Sequence, residues 1–594
     1  MGWIRKLARL INTARLIITN IIFFVLLAIL VGVLVSDKSA EPLSINTTLV
    51  IQPSGELKDL DDTNTFFSQF FQDAEDGETI SVESIVNLLN YAREDPRINS
   101  VLLNLDQNPQ ISVRQARRIG LELSRFKESG KSVFAYGINF TQGQYLLASF
   151  ADKLFQHPQG QFVPTGYSIT SSYYTKLIES LGITINVFRI GKYKEAIEPF
   201  TLNAMSEDSR NSNRILVTSL WHQYIDLVAT NRLLTFQEIE NYTSNFISLL
   251  EANNGDSAAL AVKSGLVDEL ISPIDIHRNM ALQLDLAEGA DLKEISHAHY
   301  SSIIQNEADL VIPRETIALI HATGPIVYGG NAPSNISAQS FVKLVDSAVD
   351  DSEIKALVIR INSPGGSALA SELIRETLGN MQSAGKPVVI SMGDIAASGG
   401  YLIASTADRI LAEPDTLTGS IGIFGILPTI DKSLEKIGVN TDGVGTTMLS
   451  SSFDPRYPLN DAGKALITVS INRGYTQFVD LVSKGRNLEK QKAESLATGQ
   501  VWTGYDAMEL GLVDEIGTMK DAIDKAAELA SLTDYSIKVL ENRSSSANLL
   551  ARFMNRISHR SALAQTIKDI EFLRDGLDDP SHTYALCIWC DLLE

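Results

Sequence analysis

Residues 391–401 read Ser-Met-Gly-Asp-Ile-Ala-Ala-Ser-Gly-Gly-Tyr, and they extend the apolar run Pro387-Val-Val-Ile-Ser391. A short β-branched run next to glycine predicts a buried strand, and the residues from Gly399 onward are typical of a helix start. Ser398 therefore falls at a strand-to-helix turn, where glycines let another backbone approach closely. The hydroxyl can be a nucleophile or merely the cap of the helix, and this stretch alone leaves both interpretations open.

The strand and helix around this turn have an earlier counterpart in the chain. Tyr145-Leu-Leu-Ala-Ser149 returns as Tyr401-Leu-Ile-Ala-Ser405, and Ala151-Asp-Lys-Leu154 returns as Ala407-Asp-Arg-Ile410, each 256 residues later. In both copies apolar strands alternate with amphipathic helices, a pattern that predicts βαβ units and a mostly parallel sheet. We therefore expect an α/β protein that contains a tandem duplication.

The duplication and its flanks predict five regions. A charged and solvated linker within about residues 287–314, which includes His297-Ala-His299, is expected to join the two copies. The regions are a cytoplasmic N-terminus (1–15), a transmembrane anchor (16–36), a first copy (45–300), a second copy (301–540) and a separate C-terminal tail (541–594).

The anchor is predicted from residues 16–35, an apolar run that is broken only by Thr19, Asn20 and Gly32. Such a run is long enough to cross the hydrocarbon core of a bilayer. The residues before it carry basic side chains and no acid, so the short N-terminus is expected to stay in the cytoplasm and the remainder to be exported. A cleaved signal peptide is the alternative, although its apolar region is usually shorter.

Composition excludes some classes of function. The 594 residues are 44% hydrophobic and 20% charged, which indicates a folded protein of more than one domain. The net charge of -21 argues against a nucleic-acid partner. The only cysteines, Cys587 and Cys590, cannot complete a zinc site alone, and the sequence implies no metal.

The two copies differ most where chemistry could occur. At the shift of 256 residues, Ser398 falls opposite Gln142, and Gly365-Gly366 falls opposite Pro109-Gln110. The glycine pair follows a strand and precedes a helix, so it can present backbone amides to an oxyanion, although a plain Pro-Gly turn is an equal alternative. The first copy lacks both the hydroxyl and the glycines.

A serine nucleophile needs a base, and the first copy offers lysines for that role. Lys192 and Lys194 lie in Gly191-Lys-Tyr-Lys-Glu-Ala-Ile-Glu-Pro199, whose counterpart in the second copy has no lysine. A lysine can act as a base when burial keeps it neutral. Spacing alone leaves both lysines open, and it also leaves open that each is a solvated charge.

Four motifs together resemble the long, duplicated form of the signal peptide peptidase A (protease IV) family, within the ClpP/crotonase superfamily. They are Ser-Pro-Gly-Gly-Ser (363–367), Ala-Ala-Ser-Gly-Gly-Tyr (396–401), Leu-Thr-Gly-Ser-Ile-Gly (417–422) and Tyr-Lys-Glu-Ala-Ile-Glu-Pro (193–199).

The resemblance implies a role for each candidate residue. Ser398 matches the nucleophile, and Lys194, rather than Lys192, matches the general base. Ser420 matches the serine that holds the lysine. The oxyanion site is implied to combine Gly365 or Gly366 with Gly399.

The resemblance also implies a serine endopeptidase that degrades signal peptides after their release from exported preproteins. It implies a single-pass anchor in the bacterial inner membrane, periplasmic catalytic domains, a homotetramer, and no metal or nucleotide cofactor. Asp394 departs from the family pattern, which expects a small or apolar residue there, and this departure concerns substrate preference. The rival interpretations are a crotonase-like acyl-CoA enzyme and a non-catalytic, membrane-anchored assembly factor.

Overall fold

The computed structural model describes residues 43–55, 57, 80–286, 292–307, 315–330, 335–541 and 583–587, together with Arg15, Asn20 and Phe23. The predicted transmembrane segment, residues 16–36, otherwise lies outside this described part. Within the described part, no helix has both the length and the hydropathy that crossing a bilayer requires.

The first copy contains strands that pack between helices. Its strands are β1 (Thr47–Ile51), β2 (Ile98–Asn104), β3 (Ser132–Gly137), β4 (Lys153–Gln156), β5 (Thr184–Ile190), β6 (Glu269–Leu270) and β7 (Lys293–Ser296). Its helices are α1 (Val82–Glu94), α2 (Val113–Glu128), α3 (Gln142–Ser149), α4 (Thr175–Leu181), α5 (Glu198–Thr201), α6 (Glu207–Arg232), α7 (Phe236–Ser244), α8 (Phe246–Ala252), α9 (Ser257–Lys263), α10 (Ile276–Gln283) and α11 (His297–Glu307).

The second copy repeats this alternation. Its strands are β8 (Thr316–Thr323), β9 (Ile326–Val327), β10 (Ile336–Ser337), β11 (Ile354–Ser363), β12 (Gly365–Ser367), β13 (Val388–Ala397), β14 (Arg409–Ala412), β15 (Leu417–Gly419), β16 (Ile423–Thr429), β17 (Val501–Thr503), β18 (Glu515–Ile516) and β19 (Ser536–Val539). Its helices are α12 (Ala338–Asp350), α13 (Ala368–Ser383), α14 (Gly399–Ala404), α15 (Asp431–Lys436), α16 (Asp461–Gly485), α17 (Lys490–Leu496), α18 (Gly504–Glu509) and α19 (Met519–Leu529).

Each copy has its own sheet, and the two sheets share the order of their parallel strands, although the second sheet also contains β15 and an antiparallel β17. The first sheet is parallel, with the order β6-β4-β3-β2-β1-β7. In the second copy β8, β11, β13 and β14 pair in the same succession, and the last strand, β19, pairs parallel with the first strand as β7 does with β1. Helices cover both sheets, and each copy has a large buried apolar core. The predicted α/β class and the duplication are confirmed.

A third sheet takes strands from both copies. Its order is β10-β9-β12-β20-β16-β5, where β20 is Tyr584–Leu586 near the C-terminus. Strand β5 of the first copy pairs antiparallel with β16 of the second copy, from Ile423 opposite Ile190 to Thr429 opposite Thr184. This pairing fixes the position of the first copy's lysine loop against the second copy.

Ion pairs also join the copies. Arg114 Nε lies 3.3 Å from Asp394 Oδ1, and Arg117 Nε lies 3.3 Å from Asp415 Oδ2. Both arginines project from α2 of the first copy, and both acids belong to the second copy. Asp394 therefore has a structural partner across the boundary between the copies.

Two sequence predictions were wrong in the described part of the chain. The expected linker contains β7, which completes the first sheet, and α11, where His297 is buried rather than solvated. The C-terminal tail is not separate throughout, because Tyr584–Leu586 is the strand β20 of the third sheet. In both cases a strand at the end of a region finds its hydrogen-bond partners far away in sequence, which local patterns do not encode.

Candidate active site

Ser398 occupies the sharp turn between β13 and α14, as the sequence predicts. Its backbone has φ 56° and ψ −108°, a conformation that is uncommon for a residue with a side chain. The backbone amide is held by a 2.8 Å hydrogen bond to the Gly419 carbonyl, while the side chain makes no capping hydrogen bond to α14. The hydroxyl therefore does not serve as a helix cap.

Lys194 of the first copy meets this hydroxyl. It follows β5 closely, and its Nζ lies 2.6 Å from Ser398 Oγ, 2.8 Å from the Ser420 carbonyl oxygen and 3.0 Å from Ser420 Oγ. Lys194 is only 1% exposed, and Ser398 and Ser420 are also buried. The structure thus joins the lysine of one copy to the serine of the other within a single chain.

The surroundings of the amine favour its neutral form. Its hydrogen-bond contacts are to uncharged oxygen atoms. Burial lowers the pKa of Lys194 well below its ordinary value, because a low-dielectric site penalises the ammonium form. Lys192, the competing candidate, is largely exposed and forms an ion pair with Asp208 at 2.9 Å.

A loop that the sequence analysis did not single out positions both the lysine and Ser420. The carbonyl of Thr498 accepts a 2.8 Å hydrogen bond from the Tyr193 amide, and that of Gln500 accepts one of 2.7 Å from the Ser420 amide. Gly499, with φ +86°, packs so closely against the lysine loop that a β-carbon there would lie 2.6 Å from the backbone nitrogen of Lys194. The glycine just after a helix was the one available signal, and it does not distinguish a helix end from a site.

The two glutamates of the lysine motif hold the loop against α6. Glu198 accepts hydrogen bonds from the amide and the hydroxyl of Ser206, at 3.1 and 2.6 Å, and Ser206 is the residue that caps α6. Glu195 accepts a 2.8 Å hydrogen bond from Ser209 Oγ, and burial raises the pKa of Glu195 to about 7. These carboxylates position Lys194 without contacting its amine.

The glycine loop lies directly beside the serine turn. Gly365 and Gly366 have φ of +100° and +156°, and a β-carbon on Gly365 would lie 2.7 Å from the Gly399 nitrogen. The Gly365 amide donates to Ser363 Oγ at 3.2 Å, so it is already engaged inside the loop. Of the two glycines, Gly366 is therefore the better candidate for an oxyanion donor with Gly399.

Comparison with known proteins identifies the family of this chain. The family model described as peptidase family S49 matches residues 125–281 and 380–533. A protein named Protease 4 from Salmonella typhi is 35% identical, with 99% of this chain and 98% of the relative aligned. The chain belongs to peptidase family S49.

Other relatives agree with this membership in the S49 family. Protease 4 of Haemophilus influenzae is 33% identical, with 97% of each chain covered. A putative signal peptide peptidase SppA of Enterococcus faecium is 30% identical over 39% of this chain and 67% of its own. The first segment that matches the S49 model contains Lys194, and the second contains Ser398 and Ser420, whereas the glycine loop precedes the second segment.

Cys587 lies beside the site, where it packs against Leu216 and Leu417. It is disulfide-bonded, whereas Cys590 lies outside the described residues.

Proposed function

We propose that this S49 peptidase is a serine endopeptidase that uses Ser398 as nucleophile and Lys194 as general base, and that it degrades released signal peptides. The observation that carries the proposal is the 2.6 Å separation of Ser398 Oγ and Lys194 Nζ at a buried site. The substrate class is supported by the relative named as a putative signal peptide peptidase.

The neutral amine has the right number of partners for this role. It can donate its two N–H groups to the carbonyl and the hydroxyl of Ser420, which leaves its lone pair directed at the Ser398 hydroxyl. Lys194 then takes the Ser398 proton as Oγ attacks a peptide carbonyl carbon. Ser420 orients the lysine and does not itself react.

The glycine loop supplies the electrostatic part of catalysis. The amides of Gly366 and Gly399 donate to the oxyanion that forms when Oγ adds to the carbonyl. The leaving amine takes the proton from Lys194, and an acyl-enzyme ester remains on Ser398. Water, activated by the same lysine, then hydrolyses the ester and releases the second product.

The apolar walls near the lysine fit the proposed substrates. The side chains of Ile169, Leu216, Leu417 and Val501 line the space beside Lys194, and they would accept small or aliphatic side chains.

The segment at residues 16–36 is proposed to anchor the chain in the bacterial inner membrane, with the catalytic part in the periplasm. A homotetramer is proposed as the assembly.

The test compares substitutions at the two lysines and the serine. In Ser398→Ala and Lys194→Ala, kcat/KM for a signal-peptide-derived peptide is expected to fall by at least about 10³-fold, because each removes a member of one reacting unit. Lys192→Ala is the matched control, since this exposed lysine lies two residues away, and its kcat/KM is expected to stay within about twofold. Near-normal turnover in Ser398→Ala or Lys194→Ala would disprove the dyad.

Covalent labelling separates the remaining interpretations. A serine-directed phosphonylating probe is expected to add its mass to Ser398 and not to react with Lys194→Ala at a comparable rate. An enzyme that instead turns over acyl-CoA, with peptide left intact, would favour the crotonase-like alternative. A chain that neither reacts with the probe nor hydrolyses peptide would favour the non-catalytic assembly factor.

A further inference from the structure

A bulge interrupts strand β13 shortly before the serine turn. Ile361 of β11 lies opposite Met392. Two residues later Ser363 lies opposite Ala396, which is four residues further along β13. Because a strand advances about 3.3 Å per residue, the two extra residues shift the rest of β13 by about 7 Å relative to β11. The bulge thus decides which part of β13 lies beside the glycine loop.

Asn362 is the residue of β11 that lies opposite this bulge. Its side-chain Oδ1 accepts a 3.1 Å hydrogen bond from the backbone amide of Ile395. Gly393 packs against the same residue, since a β-carbon on Gly393 would lie 3.2 Å from Asn362 Cβ. Thr416 Oγ1 donates a 2.8 Å hydrogen bond to the Gly393 carbonyl. Side chains therefore hold the bulge at the point where the register of the backbone ladder changes.

Strand β13 changes its neighbour at this bulge. It pairs with β14 up to Ser391, and with β15 from Ile395 onward. The amide that donates to Asn362 therefore belongs to the first residue that pairs with β15. Strand β15 continues directly into Ser420, and its last carbonyl accepts the hydrogen bond of the Ser398 amide. The bulge thus sets the positions of both serines of the candidate site.

The equivalent strands of the first copy pair in one continuous register. Strands β2 and β3 pair from Ser100 opposite Ser132 onward without a shift. At the shift of 256 residues Asn362 corresponds to Asp106, whose Oδ1 accepts a 2.8 Å hydrogen bond from Gln52 Nε2. Of these two pairs of equivalent strands in the described part of the chain, only the pair in the copy with the nucleophile contains the bulge.

We propose that Asn362 is a positioning residue of the peptidase, whose amide oxygen holds Ser398 and Ser420 in the register that lets Lys194 reach both. Asn362 acts through the backbone of β13 and not on the substrate itself. This role rests on the proposed function, since it requires Ser398 to be the nucleophile. A small displacement of a nucleophile from its base lowers the rate strongly, because the base must lie within hydrogen-bond reach of the proton it takes.

The test compares three substitutions of the asparagine. Asn362→Leu and Asn362→Ala remove the acceptor, and each is expected to lower kcat for a signal-peptide-derived peptide by about 10²-fold while KM stays within about threefold. The rate constant for phosphonylation of Ser398 by a serine-directed probe is expected to fall by a similar factor. Asn362→Asp keeps an oxygen acceptor on a side chain of the same size, and its kcat is expected to stay within about threefold of the wild type.

Asp106→Leu is the matched control in the first copy, and its kcat is expected to stay within about twofold. All rates are measured at a temperature below the thermal unfolding midpoint of every variant, so that a loss of folded protein does not enter kcat. Normal kcat in Asn362→Leu and Asn362→Ala overturns the positioning role. An equal loss in Asn362→Asp also overturns it, because the acceptor would then not matter, and so does an equal loss in Asp106→Leu. A wild type that neither hydrolyses the peptide nor reacts with the probe overturns the proposed function itself.

Discussion

The equivalent helix starts of the two copies are built in opposite ways. In the first copy Thr141 caps α3: its hydroxyl accepts a 3.3 Å hydrogen bond from the Gln144 amide, and Gln144 Oε1 accepts one of 2.9 Å from the Thr141 amide. In the second copy no side chain caps α14, and Ser398 takes a positive φ instead. One copy satisfies its helix start with side chains, whereas the helix start of the other has no side-chain cap.

The scaffold around these turns is otherwise the same in both copies. The Tyr145 hydroxyl donates to the Leu266 carbonyl at 2.8 Å, and that of Tyr401 donates to the Leu512 carbonyl at the same distance. Likewise Asp268 and Asp514 each accept a 2.7 Å hydrogen bond from the amide of the second residue of the equivalent strand, β4 or β14. The copies share the framework and differ at the turn. The difference between the capped turn of the first copy and the serine turn of the second is therefore confined to a few residues.

The largest predicted difference between the copies concerns the glycine loop. Gly366→Val is expected to lower kcat/KM for a peptide by about 10²–10³-fold, because its β-carbon would collide with the Ile326 backbone and displace the oxyanion donor. Gln110→Val is the matched substitution in the first copy and is expected to leave kcat/KM within about twofold. Equal losses in the two variants would remove the functional asymmetry between the copies.

The pH dependence of peptide hydrolysis tests whether Lys194 of the first copy is the general base for Ser398 of the second. Only neutral Lys194 can accept a proton, so kcat/KM is expected to rise about tenfold per pH unit up to the pKa of Lys194 and then level off. Burial lowers that pKa well below 10.5, so the plateau is expected at a pH where an exposed lysine is still charged.

Glu195 provides the control for this profile, because burial raises its pKa to about 7. Glu195→Gln removes that titration and is expected to retain the acidic limb. Loss of the limb in Glu195→Gln would assign it to the carboxyl group and contradict its assignment to Lys194.

The next prediction concerns the ion pair that joins the copies. Asp394 aligns with Ile138 of the first copy, and it pairs with Arg114, whose side chain is 14% exposed. Asp394→Asn is expected to lower the free energy of unfolding by about 1 kcal/mol, read from denaturant unfolding. Arg114→Gln is expected to lose at least as much, because Arg114 Nη1 also donates to the Asp415 carbonyl at 3.4 Å, and adding Asp394→Asn to Arg114→Gln is expected to cause no further loss. A changed preference among peptide substrates would instead support the role in specificity that the sequence suggested.

The framework was predictable from sequence because its signals are local. Apolar strands, amphipathic helices and the internal repeat predict the α/β class, and the turn at Ser398 follows from a strand that ends in small residues. The contact between Lys194 and Ser398 was implied only by the family resemblance, because it depends on the pairing of β5 with β16, whose nearest partners in sequence, Ile190 and Ile423, are 233 residues apart. The role of Gly499 and the insertion of β20 depend in the same way on distant partners.

The smallest predicted effect tests the scaffold that the copies share. Tyr145→Phe and Tyr401→Phe each remove one buried hydroxyl and leave a carbonyl without that donor, so each is expected to cost about 1 kcal/mol of unfolding free energy. Because the two tyrosines lie in different cores, their costs are expected to add in the double variant. Thermal and denaturant unfolding measure both values. If Tyr401→Phe proved much more costly than Tyr145→Phe, the framework of the second copy would itself have been remodelled around its site, and the asymmetry would extend beyond the turn.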